Sequence, residues 1–327
     1  MGDEIWGRMA VELSQHRVIA AQKRRAWAGK AFGYLAAACG CVVLVVMAGI
    51  VIELLRHSQL AMRAFGLRFL TSAEWAPVGE RFGALSSIYG TAVSTAIALI
   101  LAVPASLVIA LFLVELCPSR LSGFFGTAIE LLAAIPSIIY GMWGLFVFAP
   151  FMSDHIQPFL GRYLGFTPLF EGPPMGIGML TAGIILALMV LPFISSVMRD
   201  VLKMVPAVVK ESAYGLGATT WEVTKDVSIR YGRAGMVGAI FLGLGRAVGE
   251  TMAVTFVIGN DHTLAPSLFA SGNTIASTLA NEFTEASEPL YLSALVELGL
   301  VLFLITAVFQ AVAQLWLRFA SAKGGQT

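Results

Sequence analysis

A chain of 327 residues that is 57% hydrophobic and 13% charged, with a mean hydropathy of +0.81, is too apolar for an ordinary soluble domain. Its net charge of +1 offers no footprint for nucleic acid, and its three cysteines, Cys39, Cys41 and Cys117, lie in or beside apolar runs with neither a disulfide framework nor a zinc spacing. The composition describes an all-α integral membrane protein in contact with lipid.

In chain order, residues 1–30 are polar and basic and read as a tail. Six windows are then long and apolar enough to span a bilayer as six transmembrane helices: 31–52, 87–114, 124–151, 175–197, 234–258 and 292–317. The first exceeds the apolar core of a signal peptide and reads as a retained anchor, with an external segment running to 83. Residues 84–318 form the transmembrane core, carrying a polar loop at 199–233, and 319–327 read as a second tail. Pro104, Pro136 and Pro192 interrupt spans, as packing kinks or as breaks that line a pathway; Ser137 is placed to satisfy a freed carbonyl. Gly141 and Gly144, and the Gly245-x-x-x-Gly249 spacing, predict close helix approach. The segment Gly243-Leu-Gly245-Arg-Ala-Val-Gly249 misses the dinucleotide fingerprint and follows no strand, so it predicts no nucleotide site.

Lysine and arginine set the orientation. Fifteen fall in the tails, near Arg120 or in loop 199–233, five (Arg56, Arg63, Arg68, Arg81 and Arg162) fall in the opposite loops, and Arg246 stays within a span. The positive-inside rule therefore places both termini in the cytoplasm of a multi-pass protein of the inner (plasma) membrane, with the lysine- and arginine-free loop 260–291 outside.

Two features carry chemistry. Arg246 and Glu250 lie four apart in the apolar window 234–258, so one continuous helix would put both on one face. An ionisable group facing lipid costs several kcal/mol by order of magnitude, so the pair must face protein or water, either as a contact for a polar cargo or as a permanent structural ion pair. Thr251 and Asn260 supply neutral donors nearby. There is no Walker loop, and His16, His57, His155 and His262 are dispersed as surface residues, so the chain reads as a non-enzyme with no catalytic residue, metal or cofactor of its own. Energy must come from a partner or a gradient. A gradient-driven anion transporter and a non-transporting scaffold or sensor are the rival classes.

The second feature is loop 199–233. Pro206 suits the first turn of a helix, Gly217 a turn between two short helices and Thr220 the cap of the second, which together present an amphipathic knuckle to a cytosolic partner. Exposed Val and Trp221 at such a place mark an interaction surface.

The pattern Glu211-Ser-Ala213, three residues, Gly217, nine residues and Val227-Ser-Ile229-Arg230 resembles the EAA loop of binding-protein-dependent ABC importer permeases. Here Ser212 replaces the second alanine and Ile229-Arg230 the usual closing Leu-Pro. Ala134-Ile-Pro136-Ser137-Ile-Ile-Tyr140-Gly141-Met-Trp143-Gly144, Gly245-Arg246-Ala-Val-Gly249-Glu250-Thr251-Met-Ala-Val and Ile258-Gly-Asn260 are similar to the PstC-type permeases of phosphate importers. The resemblance implies a type I ABC importer permease (MetI-like) bundle that docks Pro206, Glu211, Ala213, Gly217, Trp221 and Glu222 into an ATPase. It also implies a PstA-type second permease, two copies of a cytoplasmic ATPase subunit and a periplasmic phosphate-binding protein. A guanidinium at Arg246 suits phosphate oxygens, with Glu250 competing for it, although the residues alone leave sulfate or molybdate open.

Overall fold

The computed structural model describes residues 2–324, with side chains described for 29–30, 32–118 and 120–318. The basic side chains of the first tail from Arg8 to Arg25, His16, and residues 325–327 with the side chain of Lys323 lie outside what is described. The chain divides into two compact units between Arg56 and His57. The first is a single helix, α1 (Gly2–His57), whose apolar part is Phe32–His57, so the expected tail and first span are one uninterrupted helix.

The second unit begins with α2 (Gln59–Phe65) and α3 (Leu85–Leu116), the last turn of which, Phe112–Leu116, is a π turn. Next come α4 (Ser119–Ala133), α5 (Ser137–Leu164, with π turns at Gly144–Phe148 and Met152–Ile156) and α6 (Met179–Lys203). After α7 (Ala207–Gly215), the short α8 (Thr220–Glu222) runs without interruption through a π stretch, Val223–Ile229, into α9 (Arg230–Val248). The chain ends in α10 (Met252–Thr255), α11 (Ile275–Glu282) and α12 (Pro289–Gly324). Among the described residues there are no strands, only two isolated bridges.

Four helices are long and apolar enough to cross a membrane: Phe32–His57, α3, α6 and Pro289–Arg318. A fifth crossing exists if α4 and α5, bent by 84° at the break before Ser137, count as one. Pro136 causes that break, because it lacks an N–H and sits in extended conformation as the N-cap of α5. Six uninterrupted spans are therefore not found. The window 234–258 fails as a single helix: five glycines and three arginines dilute α9, which stops at Val248. Each interior glycine weakens a helix by about 1 kcal/mol relative to alanine.

Helix α6 is the axis of the bundle. Ile185, Leu186, Met189, Val190, Ile194 and Met198 are buried along it against small residues of α3, Ala98, Ala102 and Ala110, and against Met236, Ala239 and Ala247 of α9. In lipid such contacts rest on close packing rather than on exclusion of water, which explains the small partners. Pro104 and Pro192 both sit inside continuous helices, and the Ser195 hydroxyl donates to the Pro192 carbonyl at 3.0 Å. Neither proline breaks its helix. Gly141 and Gly144 do bring α5 close to its neighbour: a Cβ on Gly141 would lie 3.0 Å from the Met252 carbonyl oxygen, and one on Gly144 2.9 Å from Val257. Among the described residues nothing packs closely on Gly245 or Gly249: a Cβ at Gly245 would meet nothing within 4 Å, and one at Gly249 only the Gly245 carbonyl oxygen at 3.7 Å. At the Met179 end of α6, a second cluster joins Ala61 of α2, Phe69 of the short helix Arg68–Thr71, Phe82 just before α3, Ile275 of α11, and Tyr291 and Leu295 of α12.

Candidate functional site

The knuckle forms as α7, a turn and α8. Pro206 is the N-cap of α7 rather than its first residue, and Gly217 turns the chain with φ +88°, a conformation that an L side chain seldom adopts. The cap of α8 is Thr219, not Thr220: its hydroxyl accepts from the Glu222 N–H, and Glu222 accepts at 2.7 Å from the Thr219 N–H, closing a capping box. That backbone hydrogen bond first, then the one from the Thr219 hydroxyl, holds the Glu222 carboxyl below the usual carboxylate range. Around this turn Glu211 is exposed, Ala213 is half-buried, and Val208, Tyr214, Leu216 and Trp221 present apolar surface outward, Leu216 at 90% and Trp221 at 68% exposure. A concentration of free apolar side chains on a polar hinge marks a docking surface. Ile229-Arg230, where a proline would end the helix, lets it continue from the knuckle into α9.

Arg246 stands in the last turn of α9, half-buried. The expected pairing with Glu250 is absent. Because α9 ends at Val248, Glu250 lies beyond it and its carboxylate accepts at 3.2 Å from the Ala253 N–H, steadying the start of α10. Among the described residues no carboxylate lies within ion-pairing distance of Arg246. What faces its guanidinium is the Phe193 ring, 5.4 Å from Cζ, and its charge also acts on Tyr140 of α5. The buried Nε has no hydrogen-bond partner. The two residues thus form no ion pair in this structure, and the Arg246 cation is left with an aromatic face and an unpartnered Nε. Thr251 and Asn260 are linked through Thr255: the Thr255 hydroxyl donates to the Thr251 carbonyl at 2.8 Å, and Asn260 Nδ2 donates to the Thr255 carbonyl at 3.0 Å. Asn260 is exposed with φ +53° and ends the broken segment.

Three polar clusters have no motif to announce them. At the Met179 end of the bundle, the Glu282 carboxylate accepts from Trp75 Nε1 and the Tyr291 hydroxyl, and meets His262 Nε2, each at 2.7 Å. Burial pushes this carboxyl up, but the hydrogen bonds from His262, Tyr291 and Trp75 and the His262 charge outweigh it, leaving it below its ordinary value. His262 is therefore no surface residue; it stacks on Trp75 with centroids 5.3 Å apart and meets Asn273 Nδ2 at 2.7 Å. Near the knuckle, Arg199 bridges α6 to Glu130 of α4, over Gly126, where a Cβ would collide with the guanidinium. Glu115 of α3 accepts from both Lys210 and Ser228. A pairing of lone charges far apart in sequence could not be read from spacing.

A bent helical bundle with a two-helix knuckle at one end is a fold shared with solved transporter proteins. The solved bacterial alginate ABC transporter, in complex with its alginate pentasaccharide-bound periplasmic protein, matches with a TM-score of 0.57 over 86% of this chain and 92% of that chain, at 15% identity. No family model matches the chain. The phosphate transport system permease protein PstC of Mesorhizobium japonicum is 54% identical over 292 residues, covering 88% of this chain and 89% of the relative. That of Xylella fastidiosa strain Temecula1 is 51% identical over 298 residues, 90% of this chain and 92% of the relative. The chain belongs to the PstC family of phosphate transport system permease proteins, and is a multi-pass membrane protein.

Proposed function

We propose that this chain is one permease half of an ATP-driven phosphate importer of the inner (plasma) membrane, with both termini cytoplasmic, and that Arg246 contacts the anion in transit. Its partners in this reading are a PstA-type second permease, two ATPase subunits seated on the knuckle, and a periplasmic phosphate-binding protein. The observation that carries the site is the lone guanidinium. An arginine held in the bundle without a carboxylate is costly unless an anion visits it, and its planar fork matches phosphate oxygens. In this reading Glu250, Thr251 and Asn260, whose hydrogen bonds hold the broken segment beyond Arg246, belong to the same pathway, with Thr251 and Asn260 as neutral donors.

The test is ATP-dependent phosphate uptake by the reconstituted complex at matched protein levels. Arg246→Lys keeps charge but loses the fork and is expected to transport poorly; Arg246→Gln is expected to transport less still. The double variant Arg246→Gln with Glu250→Gln is expected to assemble and stay inactive, since no pair exists whose joint removal would restore balance. Near-normal uptake in the double variant would sink the cargo contact. Competition by arsenate, sulfate and molybdate separates phosphate from the other oxyanions, all of which fit a guanidinium fork.

A further inference from the structure

We propose that Glu115 is a positioning residue that joins the docking knuckle to the membrane helices, so that movement of α7 is passed to α3. The inference rests on the docking role proposed above for the knuckle.

The case starts from how α7 is attached. Of its nine residues only Lys210 and Ala213, three apart and therefore on one face, are withdrawn from solvent; Val208, Val209, Glu211, Ser212 and Tyr214 are all exposed. Such a helix has almost no apolar inner face with which to grip the bundle. Its grip is polar instead: Lys210 Nζ donates at 2.7 Å to Glu115 Oε1, and the Ser228 hydroxyl donates to the same oxygen at 2.7 Å. The Glu115 side chain is 6% exposed and Ser228 is fully buried, so the junction is shielded from water.

One carboxylate oxygen thus ties together three segments far apart in sequence: the end of α3, the coupling helix α7, and the stretch that leads from the knuckle into α9. Two of the three residues that meet there sit in irregular backbone. Glu115 lies in the π turn Phe112–Leu116 and Ser228 in the π stretch Val223–Ile229. Single-turn π irregularities cost helix stability and recur at functional positions, where they re-aim a side chain. Here both re-aim groups onto one contact. Stability is a poor explanation for the arrangement, because an apolar cluster of similar volume usually serves a buried site at least as well as an ion pair does. A charged, directional contact fixes relative position, and α3 in turn packs on α6 and α9, the helix that carries Arg246.

Reconstituted complexes of wild type, Glu115→Gln, Lys210→Met and the exchange Glu115→Lys with Lys210→Glu test this. Glutamine preserves the shape of the site, and the Ser228 hydroxyl can donate to a carboxylate or accept from an ammonium, so the exchange remains satisfiable. Measured for each are phosphate moved per ATP hydrolysed, retention of the ATPase subunit, and thermal stability. Both single variants are expected to retain the ATPase and hydrolyse ATP while phosphate moved per ATP falls about fivefold or more, at the low end of ordinary coupling between sites. The exchange is expected to recover most of that ratio. An unchanged ratio in Glu115→Gln overturns the proposal. So does a fall in uptake that merely follows loss of ATPase retention and thermal stability and is not recovered by the exchange, which is how a structural brace behaves. Failure of the underlying reading looks different: wild type itself then shows no ATP-driven phosphate uptake or retains no ATPase.

Discussion

Replacement of Gly217 by valine isolates the knuckle from everything else. A Cβ built at this position would meet nothing within 4 Å, so valine brings no clash and its entire cost is conformational. At φ +88° that cost is about 1–2 kcal/mol for an ordinary L residue and roughly 2–3 kcal/mol for a β-branched one. At about 1.4 kcal/mol per tenfold, valine shifts the local equilibrium against the native turn by roughly 30- to 150-fold. The turn is held by hydrogen bonds from Gly217 N to the Tyr214 carbonyl at 2.9 Å and from Ala218 N to the Ala213 carbonyl at 3.1 Å, and these must break or distort for the strain to relax. Because the strained residue lies outside the bundle core, thermal stability of the membrane part should hold while ATPase retention and ATP-driven uptake fall about tenfold or more. Gly217→Ala should fall between valine and wild type. Gly215→Ala is the matched control: it sits at the end of α7 with no positive φ and nothing near its Cβ, and should leave both readouts unchanged. Wild-type retention and uptake in Gly217→Val, or an equal loss in Gly215→Ala, would refute the reasoning.

Topology is open to direct labelling: in a background without native cysteines, Val208→Cys on the knuckle and Thr284→Cys beyond α11 should react with an impermeant reagent from opposite sides of the membrane, and reaction of both in intact cells would overturn the orientation. Acid should loosen the Met179 end of the bundle. The Glu282 carboxyl lies below its ordinary value in the fold, so its contribution to stability is complete above the ordinary carboxylate range and is lost as pH falls through that lowered value. Glu282→Gln should remove this acid dependence and lower stability at neutral pH by about 1–3 kcal/mol for each donor left unsatisfied, read from thermal unfolding across a pH series; an acid limb identical to wild type would assign the titration elsewhere.

The membrane class, the knuckle and the special position of Gly217 were legible because each has a local signature: long apolar windows, a proline before a short helix, and a glycine where the chain must reverse. The break in window 234–258 was not. Hydropathy averages over the window, whereas the helix ends because Gly249 weakens it and Glu250 finds the Ala253 N–H, a competition settled by a single hydrogen bond. Thr220 in place of Thr219 is a one-residue error of the same origin, since either threonine has a hydroxyl to cap with and only Thr219 has Glu222 three residues on. The Glu282, Arg199 and Glu115 clusters were invisible for another reason. Their partners lie up to 207 residues apart, and a single acidic residue at the end of an apolar run looks like any solvated charge.

The absence of a proline at Arg230 has a mechanical result. From Thr220 to Val248 the backbone is helical throughout, so the knuckle and Arg246 lie near opposite ends of one strut roughly 40 Å long. A tilt of about 10° pivoting at the knuckle end of such a strut sweeps its far end through roughly 7 Å, more than the reach of a hydrogen bond. Immediately past that end the chain loses its helix at Gly249–Thr251 and can yield, which spares the rest of the bundle from following. Leverage of this kind runs along the backbone itself, from the knuckle at one end to the arginine near the other, beside the contact that Glu115 makes.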